Sequence, residues 1–310
     1  MKLSRFTSLP NLRKGISQSA GRNQVGQITV RHRGGGHKQK YRSIKWTNTS
    51  SSYASTNESI ARQSSTKGIV VGFEYDPQRT APLAQIYDKE TSSFFYCIAT
   101  GATKPLVELN FRNSTKKLNS EANAIADTTS VKSIKSLKHV RGDQSSMSYF
   151  EPGDFIHSVE LFPGQGPTIA RAAGSFCQVR STDVGAKYSE NLRNITYVKV
   201  RLPSGSQRLI AGTARATYGM PESNGYHQRA STKAGRTRWY GWRPSVRGVA
   251  RNPVDHPHGG GQGKTSGGRP SVTFKAWPTK GQPTRSPKRK SAFILSKRTK
   301  SEFTTKSNLI

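Results

Sequence analysis

Acidic residues and large apolar side chains are both scarce in this sequence. Its 310 residues include 17 Asp and Glu against 50 Lys and Arg, which gives a formal net charge of +33 and a calculated pI near 10.7. Hydrophobic residues make up 32% of the chain, and even with the 29 glycines added the total stays below the roughly 45–50% of ordinary soluble domains. The charge excess indicates a polyanionic partner. The low apolar content argues against a single core spanning the whole chain.

Cysteines and long apolar runs are also scarce. The two cysteines, Cys97 and Cys177, lie 80 residues apart in apolar runs, so we expect buried free thiols in a reducing compartment. No apolar run approaches the ~20 residues that a membrane span needs, and residues 1–20 lack the apolar segment of a secretory signal. We expect no membrane partner, no metal and no cofactor. The acid-free residues 1–22 fit either a short organellar transit peptide or a basic RNA-binding tail.

The cations are concentrated in the two flanks of the chain. Residues 1–50 hold 11 basic and no acidic residues, residues 51–206 hold 18 and 14, and residues 207–310 hold 21 and 3. Long blocks of like charge cannot bury enough apolar surface to offset chain entropy and their own repulsion. We therefore expect a nearly neutral folded middle, with flanks that become ordered only against phosphate.

Short β-rich runs separated by turn residues fill the middle of the chain. The predicted strands are residues 68–75, 83–87, 93–99, 155–161, 175–179, 195–202 and 207–210. Val198, Val200 and Leu202 alternate with Lys199 and Arg201, as in a half-buried strand. Because no amphipathic helix is long enough for a crossover connection, the pattern predicts two small antiparallel barrels.

Four parts make up the predicted domain organisation. They are a basic N-terminal extension and linker over residues 1–66, a barrel over 67–153 with an insertion at about 104–150, a second barrel over 154–220, and a basic Gly/Arg/aromatic extension over 221–310. In the last part Trp239, Tyr240, Trp242 and Trp277 are interleaved with arginines. Aromatic planes beside guanidinium groups suit base stacking and phosphate pairing.

Residues 252–261 read Asn-Pro-Val-Asp-His-Pro-His-Gly-Gly-Gly. Two histidines around one proline, with no further Cys or His nearby, are a poor metal-ligand set. The adjacent Asp255 and His256 cannot orient each other as a hydrolase triad requires. Gly263-Lys264-Thr265 resembles the end of a phosphate-binding P-loop, but that motif needs glycine at position 258 and a helix afterwards. The pattern favours a glycine-lined loop that inserts between RNA strands over an unstructured Gly/His linker.

Two long motif strings lie in the basic flanks. One runs from Arg31 to Arg42, Arg-His-Arg-Gly-Gly-Gly-His-Lys-Gln-Lys-Tyr-Arg, and the other from Arg243 to Lys264. In this order the two strings resemble those of the L2 family of large-subunit ribosomal proteins. Shorter motifs between them resemble the family's barrels at residues 74–79, 159–160, 163–166 and 170–174. The resemblance runs from about Gly21 to Arg285.

The resemblance implies a mainly β fold, an OB-fold barrel followed by an SH3-like barrel, with extended basic N- and C-terminal segments that bind ribosomal RNA. It implies a structural constituent of the large subunit, not an enzyme, that supports subunit association, tRNA placement and the peptidyl transferase centre. His256 matches the family histidine tied to that centre, and Asp255, His258 and Gly259–Gly261 match the loop that holds it. The implied partners are large-subunit rRNA, neighbouring ribosomal proteins and the small subunit, without a homo-oligomer.

We predict RNA contacts in both basic flanks and at two barrel positions. The predicted contact residues are Arg31, His32, Arg33, Gly34, Gly35, Gly36, His37, Lys38, Lys40, Arg42, Arg79, Arg171, Arg236, Arg238, Trp239, Arg243, Arg247, His256, His258, Gly259, Gly260, Gly261 and Lys264. The alternative is a free RNA-binding or RNA-chaperone protein, which would bind unrelated single strands with similar strength.

The sequence departs from the resembled family at several positions. Gln262 stands where the family usually has an acidic residue, and Arg251 where it usually has methionine. Such drift in a bacterial-type sequence favours an organellar ribosome, mitochondrial rather than plastid. A plastid or a bacterial cytoplasm remains the alternative location.

Overall fold

A computed structural model describes most of the chain. The described residues are 9–46, 66–111, 139–184, 196–223, 225–230, 232–263, 268–281 and 293–296. Lys264 among the predicted contacts, most of the predicted linker and the centre of the predicted insertion lie outside them. The chain divides into two compact units. We call the first, Met1–Gly15 with Gln39–Arg229 and Ala292–Ile310, the body, and the second, Ile16–Lys38 with Ala230–Ser291, the basic unit.

The body is built from short strands. They are β1 Arg13–Gly15, β2 Lys40–Arg42, β3 Thr66–Glu74, β4 Leu83–Asp88, β5 Ser93–Ile98, β6 Glu108–Phe111, β7 Gln144–Ser146, β8 Phe155–His157, β9 Val159–Glu160, β10 Pro167–Ile169, β11 Cys177–Val184, β12 Tyr197–Arg201, β13 Gln207–Ala211, β14 Arg215–Tyr218 and β15 Ile294–Ser296. The longest are rich in β-branched and aromatic residues, which suit a pleated, half-buried surface. The predicted mainly β fold is confirmed.

Eleven of these strands form one sheet in the order β15-β13-β12-β11-β8-β14-β7-β6-β3-β4-β5. Neighbouring strands are antiparallel, except that β6 and β7 meet in parallel at Phe111 and Gln144. The pairs β1–β2 and β9–β10 form two further antiparallel ribbons. The antiparallel pairing agrees with the predicted antiparallel strands, whereas the OB-fold and SH3-like assignments stay predictions.

Hydrophobic side chains of the body pack in separate clusters. One contains Val70, Phe73, Ile86, Phe95 and Phe111 with smaller neighbours from β3–β6. A second is drawn from residues 147–216 and centres on strands β8 and β11–β14. A third, between Ile44 and Ala173, brings the segment after β2 against β4 and β5. Several small cores match the low apolar content, because no single core has to serve the whole chain.

The stretch 104–150, predicted as an insertion, contributes to the sheet at both ends. β6 lies at its start and β7 near its end, followed by a 3₁₀ turn at Met147–Tyr149. Asp143 stabilises this connection, because its carboxylate accepts hydrogen bonds from the backbone N–H groups of Asn110 at 2.8 Å and Val140 at 3.1 Å. Strands of three or four residues are too short to show a period in the sequence, so the pattern did not separate these two strands from the predicted insertion.

Two titratable side chains of the body, His157 and Glu160, are buried and hydrogen-bonded. His157 is fully buried, with Nε2 3.0 Å from Thr100 Oγ1 and Nδ1 3.0 Å from Ser158 Oγ. Desolvation lowers its pKa to about 3, so the ring is neutral. Glu160 is also fully buried, and its carboxylate accepts the backbone N–H groups of Gly166 at 3.2 Å and Arg215 at 3.0 Å. It thereby holds the 163–166 turn and the start of β14.

Both cysteines are free thiols, as predicted. Cys177 is buried and Cys97 is half-buried, and desolvation raises the pKa of each thiol to about 12. Thiols this weakly acidic stay protonated and unreactive. Across the described ranges, no helix is long and apolar enough to cross a lipid bilayer.

The basic unit contains little regular structure. Its elements among the described residues are the short helix α1 at Gly235–Trp239 and a 3₁₀ turn at Gly248–Ala250. Isolated bridges join Arg33 to Trp242 and Val272 to Pro278. Val272 is the one hydrophobic residue of this unit that is buried within the described ranges. Backbone hydrogen bonds between loops, rather than a hydrophobic core, therefore hold the unit together.

Candidate nucleic-acid interface

The two basic strings predicted from opposite ends of the chain pair with each other in the basic unit. The backbone N–H of Gly34 donates to the carbonyl of Gly241 at 2.9 Å, and that of His37 donates to Trp239 at 3.0 Å. The N–H of Arg243 returns a bond to His32 at 3.1 Å. Residues predicted as two separate binding flanks thus form a single continuous element.

Gly36 makes this close pairing possible. Its φ of +95° lies in the region that L side chains rarely adopt, and a Cβ there would lie 2.8 Å from the Gly241 nitrogen and 3.0 Å from the Trp239 carbonyl oxygen. Those neighbours are backbone atoms, so they cannot move aside as a flexible side chain would. The glycine run at 34–36 therefore packs chain against chain, in addition to any approach to a phosphate.

Cations cover one face of several aromatic rings in the basic unit. The Arg33 guanidinium carbon lies 3.6 Å from the centre of the Trp242 ring, and Lys233 Nζ lies 4.1 Å from that of Trp239. Both rings remain solvent-exposed, at 45% for Trp242 and 55% for Trp239. Arg238 Nη1 donates to the Trp242 carbonyl at 2.8 Å, which fixes a second guanidinium beside the same residue. Positive charge and exposed ring surface thus lie side by side, an arrangement that suits a nucleotide, because its base can stack on the ring while its phosphate pairs with the cation.

The loop at residues 252–260 is a compact turn that holds the His256 ring. The backbone N–H of His256 donates to the Asn252 carbonyl at 3.3 Å, and the backbone N–H of Gly259 donates to the His256 carbonyl at 2.8 Å. The imidazole lies directly over Gly248, where a Cβ would come within 2.5 Å of the ring. The backbone N–H of His258 donates to His256 Nδ1 at 3.0 Å. The structure describes an ordered turn here, not the unstructured linker that was the alternative.

This hydrogen bond assigns the protonation of His256. A backbone N–H can only donate, so Nδ1 accepts and the ring proton lies on Nε2. Desolvation lowers the pKa of His256, with smaller Coulombic contributions from its neighbours His258 and Arg251, and favours the same neutral form. Its N–H can donate to an oxygen of RNA, but the ring supplies no positive charge.

The two histidines of this loop contact backbone groups. Within the described residues, no three His, Cys, Asp or Glu side chains are close enough to hold a metal ion. Asp255 is exposed, and its backbone N–H donates to Asn252 at 3.0 Å. His258 Nε2 lies 3.2 Å from the Pro270 carbonyl oxygen. The histidines therefore serve loop geometry and hydrogen bonding.

Several predicted contact residues belong to the body, where some are already paired. Arg42 Nε lies 3.1 Å from the Glu74 carboxylate, which also pairs with Arg13 and accepts the Tyr96 hydroxyl at 2.6 Å. Burial raises the pKa of Glu74, but the hydrogen bonds of Tyr96, Arg42 and Arg13 outweigh it and lower the pKa. This network links β2 to β3, so the charge of Arg42 is already paired with a carboxylate within the protein.

Arg79 and Arg171 share one aromatic partner in the body. Their guanidinium carbons lie 5.1 Å and 5.5 Å from the centre of the Trp46 ring. Arg79 also pairs with Asp76 at 3.4 Å, whereas Arg171 is exposed. Sequence reasoning missed Trp46 and, in the basic unit, Phe274, which lies 4.4 Å below Arg31. An aromatic directly beside a lysine, as in Lys45-Trp46 and Phe274-Lys275, was the available signal.

Charge in the basic unit is almost entirely of one sign. Residues 16–38 carry four Lys and Arg and no acid, and residues 230–291 carry 14 and one acid, Asp255. Every ion pair among the described residues lies in the body. Uncompensated cations on a unit without a core require an external polyanion.

Comparison with known proteins agrees with this arrangement. Residues 10–104 match the RNA-binding N-terminal domain of ribosomal proteins L2, and residues 140–276 match the C-terminal domain of the same proteins. The large ribosomal subunit protein uL2m of Reclinomonas americana is 41% identical over 91% of this chain and 85% of its own length.

Bacterial relatives are similar to the same degree. The large ribosomal subunit protein uL2 of Wolbachia sp. subsp. Drosophila simulans (strain wRi) is 42% identical over 91% of this chain and 86% of its own. That of Allorhizobium ampelinum is 38% identical over 93% and 87%. Both domain matches and these near full-length identities lead to one conclusion. The chain belongs to the ribosomal protein L2 family, whose members are structural components of the large ribosomal subunit and not enzymes.

Proposed function

We propose that this chain is a structural constituent of a mitochondrial large ribosomal subunit that binds its rRNA mainly through the basic unit. The observation that carries the proposal is the joining of residues 32–37 to residues 239–243 in a unit with 18 Lys and Arg, one acid and hardly any core. Such a unit gains little stability from hydrophobic burial, so phosphate contacts supply what packing does not.

The proposed RNA contacts fall into three groups. Exposed arginines and lysines of the basic unit neutralise phosphates, the cation-covered rings stack on bases, and the 256–261 loop inserts where only a narrow backbone fits. The proposed residues of the basic unit are Arg31, Arg33, His37, Lys38, Arg236, Arg238, Trp239, Arg243, Arg247, His256, His258 and Gly259–Gly261. Lys40 and Arg171 of the body, and Lys264, which lies outside the described residues, belong to the same proposal. Arg42 and Arg79 act instead as positioning residues, because each is paired with a carboxylate.

We further propose that the 256–261 loop supports the peptidyl transferase centre without taking part in the chemistry. A neutral His256 with its proton on Nε2 is a hydrogen-bond donor toward RNA, and Nδ1 is not free to act as a base because it accepts the His258 N–H. Support for subunit association and tRNA placement, with the small subunit and neighbouring ribosomal proteins as partners, belongs to the same proposal.

The experiment that tests this function is sucrose-gradient fractionation of organelle lysate in high salt, with the chain followed by mass spectrometry. Threaded rRNA contacts survive salt that removes nonspecific cations from nucleic acid. We expect cosedimentation with a mitochondrial large subunit. A slow-sedimenting pool alone would contradict the proposal and favour a free RNA-binding protein, and cosedimentation with plastid or bacterial subunits would change the compartment.

A further inference from the structure

A hairpin turn in the basic unit presents an exposed tryptophan, Trp277. Residues 271–279 fold back on themselves, with Thr279 N–H donating to the Ser271 carbonyl at 3.0 Å and the Thr279 and Ser271 hydroxyls 2.8 Å apart. Trp277 lies in the turn and exposes 71% of its surface. Few side chains of this size are left so open on a folded chain.

The backbone of Trp277 makes two hydrogen bonds with Thr273. Its carbonyl accepts the Thr273 N–H at 2.8 Å, and its own N–H donates to Thr273 Oγ1 at 3.2 Å. Ala276, just before it, adopts a φ of +61°, which is unfavourable for a residue with a Cβ. The turn therefore includes one strained residue and fixes the backbone from which the indole projects.

The hairpin is also anchored at its base. Val272, next to Ser271, is buried, and His258 Nε2 lies 3.2 Å from the Pro270 carbonyl oxygen and 3.4 Å from the Val272 nitrogen. The His258 loop thus contacts the base of the hairpin. A side chain carried on a backbone that is already ordered loses less entropy when it binds.

Two cations lie near Phe274, an aromatic residue of the same hairpin, and indicate the kind of partner. The Arg31 guanidinium lies 4.4 Å from the centre of the Phe274 ring, and Lys275 Nζ lies 5.8 Å from it. Lys280 follows the hairpin, and Asp255 is the unit's one acid. A flat apolar ring among positive charges fits a nucleotide, whose base stacks while its phosphate is neutralised.

We propose that the 271–279 hairpin is a stacking site for an unpaired base of RNA, with the Trp277 indole as the stacking platform and Arg31 and Lys275 as its phosphate partners. The proposal rests on the RNA-binding function above and adds a site and a ligand class to it. A base inside a regular duplex has both faces covered by its neighbours, so the site selects single-stranded or bulged nucleotides.

The test compares variants of the full chain on two probes, a single-stranded oligoadenylate of about 12 nucleotides and an RNA duplex of the same length. Trp277→Ala should weaken single-strand binding about five- to a hundredfold, the range expected for loss of one base–aromatic stack, with little change for the duplex. The salt slope should stay the same because no charge is lost. Trp277→Phe should retain most of the affinity, and Trp277→Leu should lose it.

Val25→Ala is the matched control, because Val25 is 81% exposed in the same unit and is not aromatic. Circular dichroism checks that each variant folds like the wild type. Equal loss on both probes, unchanged binding by Trp277→Ala, or full binding by Trp277→Leu would overturn the stacking site. Failure of the wild type to bind either probe while it still binds large-subunit rRNA would overturn the stacking site alone, whereas failure to bind that rRNA as well would refute the RNA-binding function.

Discussion

The body and the basic unit reach an ordered backbone by different means. The body buries side chains such as Phe73, Ile86 and Ile156 in separate clusters and neutralises its cations internally, as Glu74 does for Arg13 and Arg42. The basic unit leaves its aromatics open and its cations without acidic partners among the described residues. From this difference we expect the body to fold through its own side-chain packing. We expect the basic unit to reach its full stability only when a polyanion is bound.

The largest expected effect tests whether stability belongs to the body. Ile156→Ala removes a fully buried side chain from the second cluster and should lower the free energy of unfolding by about 2–5 kcal/mol. Urea unfolding of the full chain, followed by far-UV circular dichroism, measures it. Val254→Ala should leave the midpoint unchanged, since that side chain is exposed. Equal effects of the two variants would remove the contrast between the units.

Acid should destabilise the body through His157. Its pKa in the folded chain, about 3, is below the ordinary value of 6.5, so its contribution is fully present above pH 6.5 and is lost as the pH falls toward 3. In that window the free energy of unfolding should fall by up to about 1.4 kcal/mol per pH unit. Urea midpoints measured between pH 7 and 4.5 check this. His157→Gln should flatten that slope, and an equally steep variant would show that another group is responsible.

In the basic unit, a change at Gly36 should affect binding and not body stability. Gly36→Ala puts a Cβ against the backbone of Gly241, which should separate the paired strings and weaken binding to large-subunit rRNA about tenfold, or ~1.4 kcal/mol. Filter binding at fixed salt measures the loss. The control is Gly235→Ala, because a Cβ there meets nothing within 4 Å. A shifted urea midpoint with unchanged binding would reverse the assignment.

The smallest expected effect sharpens the comparison to one charge. Arg247 is exposed in the basic unit, and Arg247→Ala should reduce the slope of log affinity against log salt by about one contact. Titrations with rRNA at several salt concentrations give the slope. Lys89→Ala, which removes a body lysine paired with Glu108, should leave it unchanged. An unaltered slope for Arg247→Ala would mean that this residue touches no phosphate.

Local pattern was sufficient where the strands are long and bounded by turns. Residues 83–87 and 93–99 were predicted as strands, and the structure has Leu83–Asp88 and Ser93–Ile98. Strand β14, Arg215–Tyr218, was missed because four residues carry too little periodicity and its first N–H is held by the distant Glu160. Tertiary context, not propensity, makes that strand.

For the candidate site, composition predicted the residue types but not their arrangement. The pairing of Gly34 with Gly241 and of His37 with Trp239 uses backbone atoms alone, and backbone pairing between distant segments leaves no mark in side-chain pattern. Arg79 and Asp76 lie at the two ends of a tight turn, with the Arg79 N–H 3.3 Å from the Asp76 carbonyl oxygen, so a turn prediction would have brought the two side chains together. The pairing of Arg42 with Glu74 depends on the fold, so no spacing rule predicts it.

The pairing of the two strings can form only after the ribosome has synthesised both of them. His32 Nδ1 lies 2.8 Å from the carbonyl oxygen of Pro244, a residue 212 positions later in the chain. At about 5–20 residues per second, a ribosome making this chain needs on the order of 10–40 s between the two segments. The first string thus leaves the exit tunnel long before its partner. Until then its cations are free to engage other polyanions, so completing this unit is a late event in the life of the new chain.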